Sequence, residues 1–181
     1  MERTEILVVG GGPGGLACAT MLAQNGARVA LAERKPEIGP KVCAGGITWH
    51  GLIKHVPSSL IERSFPEQLI VTPGQRLTVT EKNPIIATVN RQRLGGWMAG
   101  QAAEAGVTLL SGARVCGLAA NRATLERANG QRMDIAFQHL VGADGSNSAV
   151  RRYLGLPNTA MGLGLNRSEE RRVGKECRSR W

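Results

Sequence analysis

Residues 5–35, EILVVGGGPGGLACATMLAQNGARVALAERK, constrain this chain more than any other stretch. An apolar run over 6–9 ends in a glycine cluster. The cluster opens into a helix-patterned segment from 13 to about 25, which Gly26 stops. A second apolar run over 27–32 finishes at Glu33. Gly10, Gly12 and Gly15 satisfy G-x-G-x-x-G inside a unit of strand–helix–strand length, and Glu33 follows Gly15 by 18 positions. In that setting the motif predicts a site for the diphosphate of a dinucleotide.

The physical reason is a need for donors. A diphosphate brings negative charge, and the start of a helix offers unpaired N–H groups with a partial positive charge. Gly10 permits the tight turn out of the strand. Gly12 removes a Cβ that would block the pyrophosphate, and Gly15 lets the helix pack close to the sheet. Pro13 fits a first helical turn, where its missing N–H is not needed. Glu33 ends the second strand, where a carboxylate accepts hydrogen bonds from a ribose 2′-OH. An acid there disfavours a 2′-phosphate, so the expected nucleotide carries an unphosphorylated adenosine ribose rather than that of NADP.

The 181 residues are enough for one domain with a real core, or one domain plus part of another. The apolar window from 6 to 23 is long enough to raise a membrane-span question, but its glycines and Pro13 make it a strand, turn and helix. Acidic and basic residues precede it, which argues against a secretory signal. Cys18, Cys43, Cys116 and Cys177 lie far apart with no C-x-x-C, the pattern of reduced thiols in a cytoplasm rather than of disulfides or zinc. His50, His55 and His139 have no metal-ligand spacing.

The formal charge of +9 invites a nucleic-acid reading, but its distribution argues against one. Residues 167–181, RSEERRVGKECRSRW, hold six Lys/Arg against three Glu; without them the net charge falls to +6. This peptide resembles the in-frame translation of a widely used sequencing-library adaptor. The expectation is therefore a native domain over 1–166 and a non-native tail over 167–181, with codons from Arg167 reading AGATCGGAAGAGC. No basic surface interleaved with aromatics, of the kind single-stranded nucleic acid needs, is visible.

After Glu33, residues 34–46 form a Gly/Pro-rich loop in which Pro36 and Pro40 bar a regular element. Gly45 and Gly46 suggest an unusual turn or close backbone approach to a ligand. A short helix is expected over 48–55. Short strands follow at 68–72, 76–81 and 85–90, separated by turn residues, so an antiparallel insertion is expected at about 66–90. Asn90 is placed to cap a helix over 91–105 whose apolar face holds Leu94, Trp97, Met98, Ala102 and Ala105, interrupted by Gln101. Gly95, Gly96 and Gly100 each weaken that helix by about 1 kcal/mol relative to alanine. It must therefore depend on packing, or let something lie close against it. A β-meander is expected at about 113–136, hanging off the main sheet, with Asn129-Gly130 as its hairpin turn. The strand over 139–143 ends at Asp144-Gly145. Asp144 lies where open α/β sheets bind ligands, and its carboxylate can hold a polyol hydroxyl or cap the next helix.

The glycine motif with Glu33, the strand insertion and LVGADGSNSAVRR together resemble the FAD-binding half of the group A flavoproteins, which include aromatic-ring hydroxylases, flavin halogenases and geranylgeranyl reductases. The resemblance covers about residues 1–166. It implies an α/β fold, a Rossmann-type FAD-binding domain with antiparallel β insertions, incomplete because the second flavin motif and the substrate-binding sheet are absent. It implies that the glycine motif holds the ADP part of FAD, that Arg91 lies near the pyrophosphate, and that Asp144 and Gly145 contact the ribityl region. The cofactor set is then Gly10, Gly12, Pro13, Gly14, Gly15, Glu33, Arg34, Cys43, Gly45, Gly46, Arg91, Asp144 and Gly145. Where the family often has Phe-Asp after the arginine, this chain has Leu94-Gly95.

The segment KVCAGG over 41–46 is most similar to the geranylgeranyl reductases, which makes Cys43 the candidate catalytic neighbour of flavin and substrate. The expected activity is reduction of an isoprenoid C=C bond by reduced FAD, with NAD(P)H or ferredoxin as electron donor and, in a longer parent, peripheral membrane association. Two alternatives stand beside it: an FAD-dependent monooxygenase acting on an aromatic substrate, and a cofactor-binding fragment without activity. The chain alone is expected to be inactive.

Overall fold

The computed structural model describes residues 1–40 and 45–157. The roles expected of Cys43 and of residues 167–181 therefore fall outside the described residues. In chain order, β1 (Glu2–Arg3) and β2 (Ile6–Val9) lead into α1 (Pro13–Gln24) and β3 (Val29–Glu33). Next come β4 (Gly46–Thr48), α2 (Trp49–Ile53), a 3-10 turn (Ser58–Leu60), β5 (Ile61–Phe65), β6 (Glu67–Val71), β7 (Arg76–Thr80) and β8 (Ile86–Val89). The chain continues through α3 (Arg91–Glu104), β9 (Thr108–Ser111), β10 (Ala113–Ala119), β11 (Arg122–Arg127), β12 (Arg132–Ala136), β13 (His139–Gly142) and α4 (Ala149–Tyr153).

The centre is a four-stranded sheet in the order β13-β2-β3-β9, parallel at every pairing. Parallel strands need cover on both faces, because their side chains alternate between two buried sides. Ile6, Val8, Val29 and Leu31 point one way and meet Leu16 and Ala19 of α1 and Ala102 of α3. Leu7, Val9, Ala30 and Ala32 point the other way and meet Ala123, Leu125, Ile135 and Phe137. The second set comes from the meander β10-β11-β12 and the residue that follows it, and β1 joins the meander's edge by pairing in parallel with β12.

The meander thus differs from its expected position. It forms a separate sheet over the second face of the parallel sheet instead of hanging off that sheet. α1 and α3 cover only one face, and leaving Leu7 exposed would forfeit roughly 1.5–3 kcal/mol of burial. The meander's outer face carries charge: Glu126 pairs with Arg114 and with Arg132 (3.1 Å), and Thr124 donates to Asp134 at 2.7 Å.

The antiparallel insertion is wider than 66–90 and splits in two. β4 and β5 flank β8 in one sheet, while β6 and β7 pair only with each other. The first sheet has its own core of Leu52, Leu60, Ala87, Val89 and Leu94. β4 (GIT) and β5 (IERSF) carry too little alternation to be read as strands. Asn90 caps α3 as expected: its Oδ1 accepts from the amides of Gln92 (3.0 Å) and Arg93 (3.1 Å). Among the described residues, no helix is long and apolar enough to cross a membrane.

Candidate cofactor site

The carboxyl ends of β2, β3 and β13 converge on the glycine turn, and each glycine there has a distinct neighbour. Gly10 has φ +110, and a Cβ on it would lie 2.3 Å from the Ala143 carbonyl oxygen. Only glycine lets the turn after β2 pass the end of β13 this closely. A Cβ on Gly15 would lie 1.9 Å from the Gly10 carbonyl oxygen, so α1 sits directly against the turn. Gly12 and Gly14 face open space, with no atom within 4 Å of an added Cβ. Gly12 is the N-cap of α1 and makes no side-chain cap, which leaves the first-turn amides facing outward.

Two carboxylates flank this turn, each held by backbone donors. Glu33 Oε2 accepts from the Gly11 amide at 2.7 Å, and its Oε1 accepts from the Lys35 amide at 2.9 Å. Asp144 Oδ2 accepts from the Ala149 amide at 2.6 Å, and its Oδ1 accepts from Ser148 Oγ at 2.5 Å. Ser148 is buried and in turn accepts from the Arg151 amide at 2.9 Å. Asp144 therefore caps α4, and its orientation is fixed at the same time. Each carboxylate oxygen keeps a lone pair for a further donor such as a sugar hydroxyl.

A cleft of about 180 Å³ opens at this point, and it brings together Gly10, Gly12, Pro13, Glu33, Arg34, Arg91, Asp144 and Gly145. A second cleft of about 250 Å³ shares Gly10, Glu33, Arg34 and Asp144 with the first and extends toward Arg114, Val115 and Arg152. Gly14 and Gly15 line neither cleft; Gly15 acts in packing. Gly45 and Gly46 also lie away from both. Gly45 takes φ +75 with a Cβ position 2.4 Å from the Val89 carbonyl oxygen, and Gly46 begins β4 opposite Thr88. Their close backbone approach is to β8.

The first cleft also contains residues that the sequence analysis did not assign to the cofactor set. Gly11, Leu16, Lys35, Glu37, Ile38, Gly39 and Pro40 line it, as do Leu94, Gly95 and Ala143. Half of them belong to residues 35–40, which pack against the first turns of α3. The available signals were weak: glycine at 39 between prolines, and glycine at 95 inside a helix.

The donor set suits a diphosphate-bearing nucleotide. Arg91 Nε is buried and has no hydrogen-bond partner among the described residues. A buried unpaired donor is costly, and a bound anion would satisfy it. A side chain at Gly12 would occupy the open space before α1. Among the described residues, no group of His, Cys, Asp and Glu is arranged to hold a metal ion.

Residues 3–165 match the model of a family described as FAD binding domain. The chain is 32% identical over 176 residues to digeranylgeranylglycerophospholipid reductase 2 of Methanosphaera stadtmanae, covering 86% of this chain and 43% of that protein. It is 31% identical over 170 residues to an uncharacterized protein in the nifH2 5′ region of Methanosarcina barkeri, covering 86% of this chain and 90% of that one. Among solved structures, a geranylgeranyl bacteriochlorophyll reductase-like protein from Thermoplasma acidophilum superposes with a TM-score of 0.81 at 26% identity. That match covers 90% of this chain and 44% of the other. The chain thus spans less than half the length of the two reductase relatives, and nearly all of the Methanosarcina protein.

Proposed function

This chain belongs to the FAD binding domain family, and from that premise we propose that it forms the adenosine-diphosphate half of the FAD site in an oxidoreductase of the geranylgeranyl-reductase type. One observation carries the reading. The glycine turn, Glu33, Arg91 and Asp144-Gly145 come from four separate parts of the chain and line a single cleft with a buried guanidinium nitrogen that no other described residue pairs.

Each group then has a task. The first-turn amides of α1 and the Arg91 guanidinium receive the pyrophosphate. Glu33, already fixed by two amides, would accept from the adenosine ribose. Asp144, fixed by Ser148 and Ala149, accepts from a ribityl hydroxyl, while Gly145 leaves room for it. FAD, when bound and reduced, supplies the hydride for reduction of a C=C bond. The similarity to named reductases supports an isoprenoid substrate, with NAD(P)H or a ferredoxin as electron source. Cys43 remains the candidate neighbour of flavin and substrate. We assign this chain cofactor binding and assign the reduction to a longer protein that supplies a substrate chamber.

Titration of the purified chain with FAD tests the reading. Saturable one-to-one quenching of flavin fluorescence, competed by ADP more strongly than by FMN, is expected. Equal competition by FMN, or preference for NADP, would overturn it. For a longer protein containing this sequence, anaerobic alkene reduction is expected, and O2-dependent hydroxylation of an aromatic would favour the monooxygenase alternative.

A further inference from the structure

We propose that a backbone contact between Gly39 and Gly95 holds residues 34–40 as a strap across the cofactor cleft, and that this contact sets how tightly the cleft retains its nucleotide. The inference rests on the cofactor reading above and adds positioning residues that contact the strap.

Gly95 is buried in α3, one turn after Arg91. A Cβ on Gly95 would lie 2.2 Å from Gly39 Cα and 3.1 Å from Gly39 N. From the other side, a Cβ on Gly39 would lie 2.8 Å from the Gln92 carbonyl oxygen and 3.3 Å from Gly96 N, and Gly39 has φ +126. Every atom in the way is backbone, so no side chain can swing aside. The two main chains touch with nothing between them. A glycine in a helix interior weakens the helix relative to alanine, so a reason for it must lie in packing. Its neighbours Gly96 and Gly100 meet no atom within 4 Å, which makes Gly95 the one of the three that the strap requires.

Other contacts fasten the same segment. Gln92 Nε2 donates to Glu37 Oε1 at 2.8 Å, one position after Arg91. Gly112 donates its amide to the Lys35 carbonyl at 2.8 Å, and Lys35 Nζ donates to the Pro40 carbonyl at 3.0 Å. Ile38 packs into the core beside Leu16 and Met98. The strap is therefore anchored to the rest of the fold at Lys35, Glu37, Ile38 and Gly39, and it lines the same cleft as Arg91 and Leu94. Forcing the strap away from Gly95 widens the cleft at the wall that holds Arg91.

Four single variants of the full chain and one double test this: Gly95→Ala, Gly39→Ala, Gly96→Ala, Gln92→Ala, and Gly39→Ala combined with Gly95→Ala. FAD affinity is read by fluorescence titration, and strap order by hydrogen exchange of amides 37–39 without FAD. Gly95→Ala is expected to weaken FAD binding by about tenfold, the scale of one overpacked methyl, and to speed exchange in the strap. Gly39→Ala should do the same, and the double variant should fall short of the summed effects because both act on one contact. Gly96→Ala should stay within about twofold of the parent chain. The proposal is overturned if Gly95→Ala binds FAD as the parent does, or loses affinity with strap exchange unchanged. Should Gly95→Ala fail to fold, Gln92→Ala at an exposed position carries the test, with faster strap exchange and weaker FAD binding expected, and no change in either overturning it. A parent chain that binds no FAD refutes the cofactor reading and with it the retention claim, whereas a bound parent with an indifferent strap refutes only the strap.

Discussion

The Gly11 amide donates to Glu33 Oε2 at 2.7 Å, joining the turn after β2 to the last residue of β3. A Cβ on Gly11 would come within 3.0 Å of Glu33 Cβ, so the two residues are in contact along their length. The carboxylate is thus oriented before any ribose arrives, which lowers the entropy cost of binding.

Replacing Glu33 by alanine removes the acceptor for two amides as well as for the ribose. FAD affinity is expected to fall by about tenfold or more, and the FAD-free protein to lose about 1–3 kcal/mol for the stranded donors. Titration and denaturant unfolding read the two effects separately. Glu33→Gln keeps one acceptor oxygen and should fall between the parent and Glu33→Ala in both.

The motif's third glycine and its neighbour should behave in opposite ways. Gly15→Ala puts a methyl 1.9 Å from the Gly10 carbonyl oxygen and is expected to cost about 3 kcal/mol or more by thermal unfolding. Gly14→Ala enters open space and is expected to be neutral or slightly stabilising, by up to about 1 kcal/mol. Equal tolerance at both positions would mean that α1 does not pack against the turn.

Arg91 lines the cleft with its Nε unpaired among the described residues, so removing it should not harm the FAD-free fold. Arg91→Ala is expected to leave the unfolding midpoint unchanged or raise it, while weakening FAD binding by about tenfold. The remaining binding should also depend less on salt, because one charge contact to the pyrophosphate is gone. Titrations at two ionic strengths check this.

A pH dependence is expected far from the cleft. Hydrogen bonds from Arg114 and then Arg132 hold the Glu126 carboxyl below the ordinary glutamate pKa. A lowered carboxylate pKa stabilises the fold above the unfolded-state value, and that contribution is lost as pH falls through the folded-state value. Glu126→Gln should therefore be less stable than the parent at neutral pH, and the difference should vanish in acid below the ordinary glutamate range. All three side chains sit at the sheet's outer face, so the effect should be small and diminished by salt. Denaturant midpoints at several pH values measure it.

The local grammar of the chain was readable without coordinates. The helix over 13–25 became α1 at Pro13–Gln24, Asn90 capped α3, and Asn129-Gly130 made the hairpin turn with Gly130 at φ +80. These features depend on residues near one another in sequence, where periodicity and turn chemistry act directly. Eight residues of the cleft were legible for the same reason, since a glycine turn, an acid at a strand end and Asp-Gly after a strand each announce themselves.

What tertiary structure decided was which surfaces meet. The meander's strands follow from local pattern and turn chemistry, yet its docking over Leu7, Val9, Ala30 and Ala32 followed from a sheet face that α1 and α3 leave uncovered. β4 and β5 became strands because β8 offered them edges, despite weak patterns of their own. Residues 35–40 read as a loop and became a wall of the cleft, through the Gly39–Gly95 contact. A backbone-to-backbone approach carries no side-chain signature except the absence of one. Glycine at 95 signalled that something could lie close, and only the folded chain identified it as Gly39.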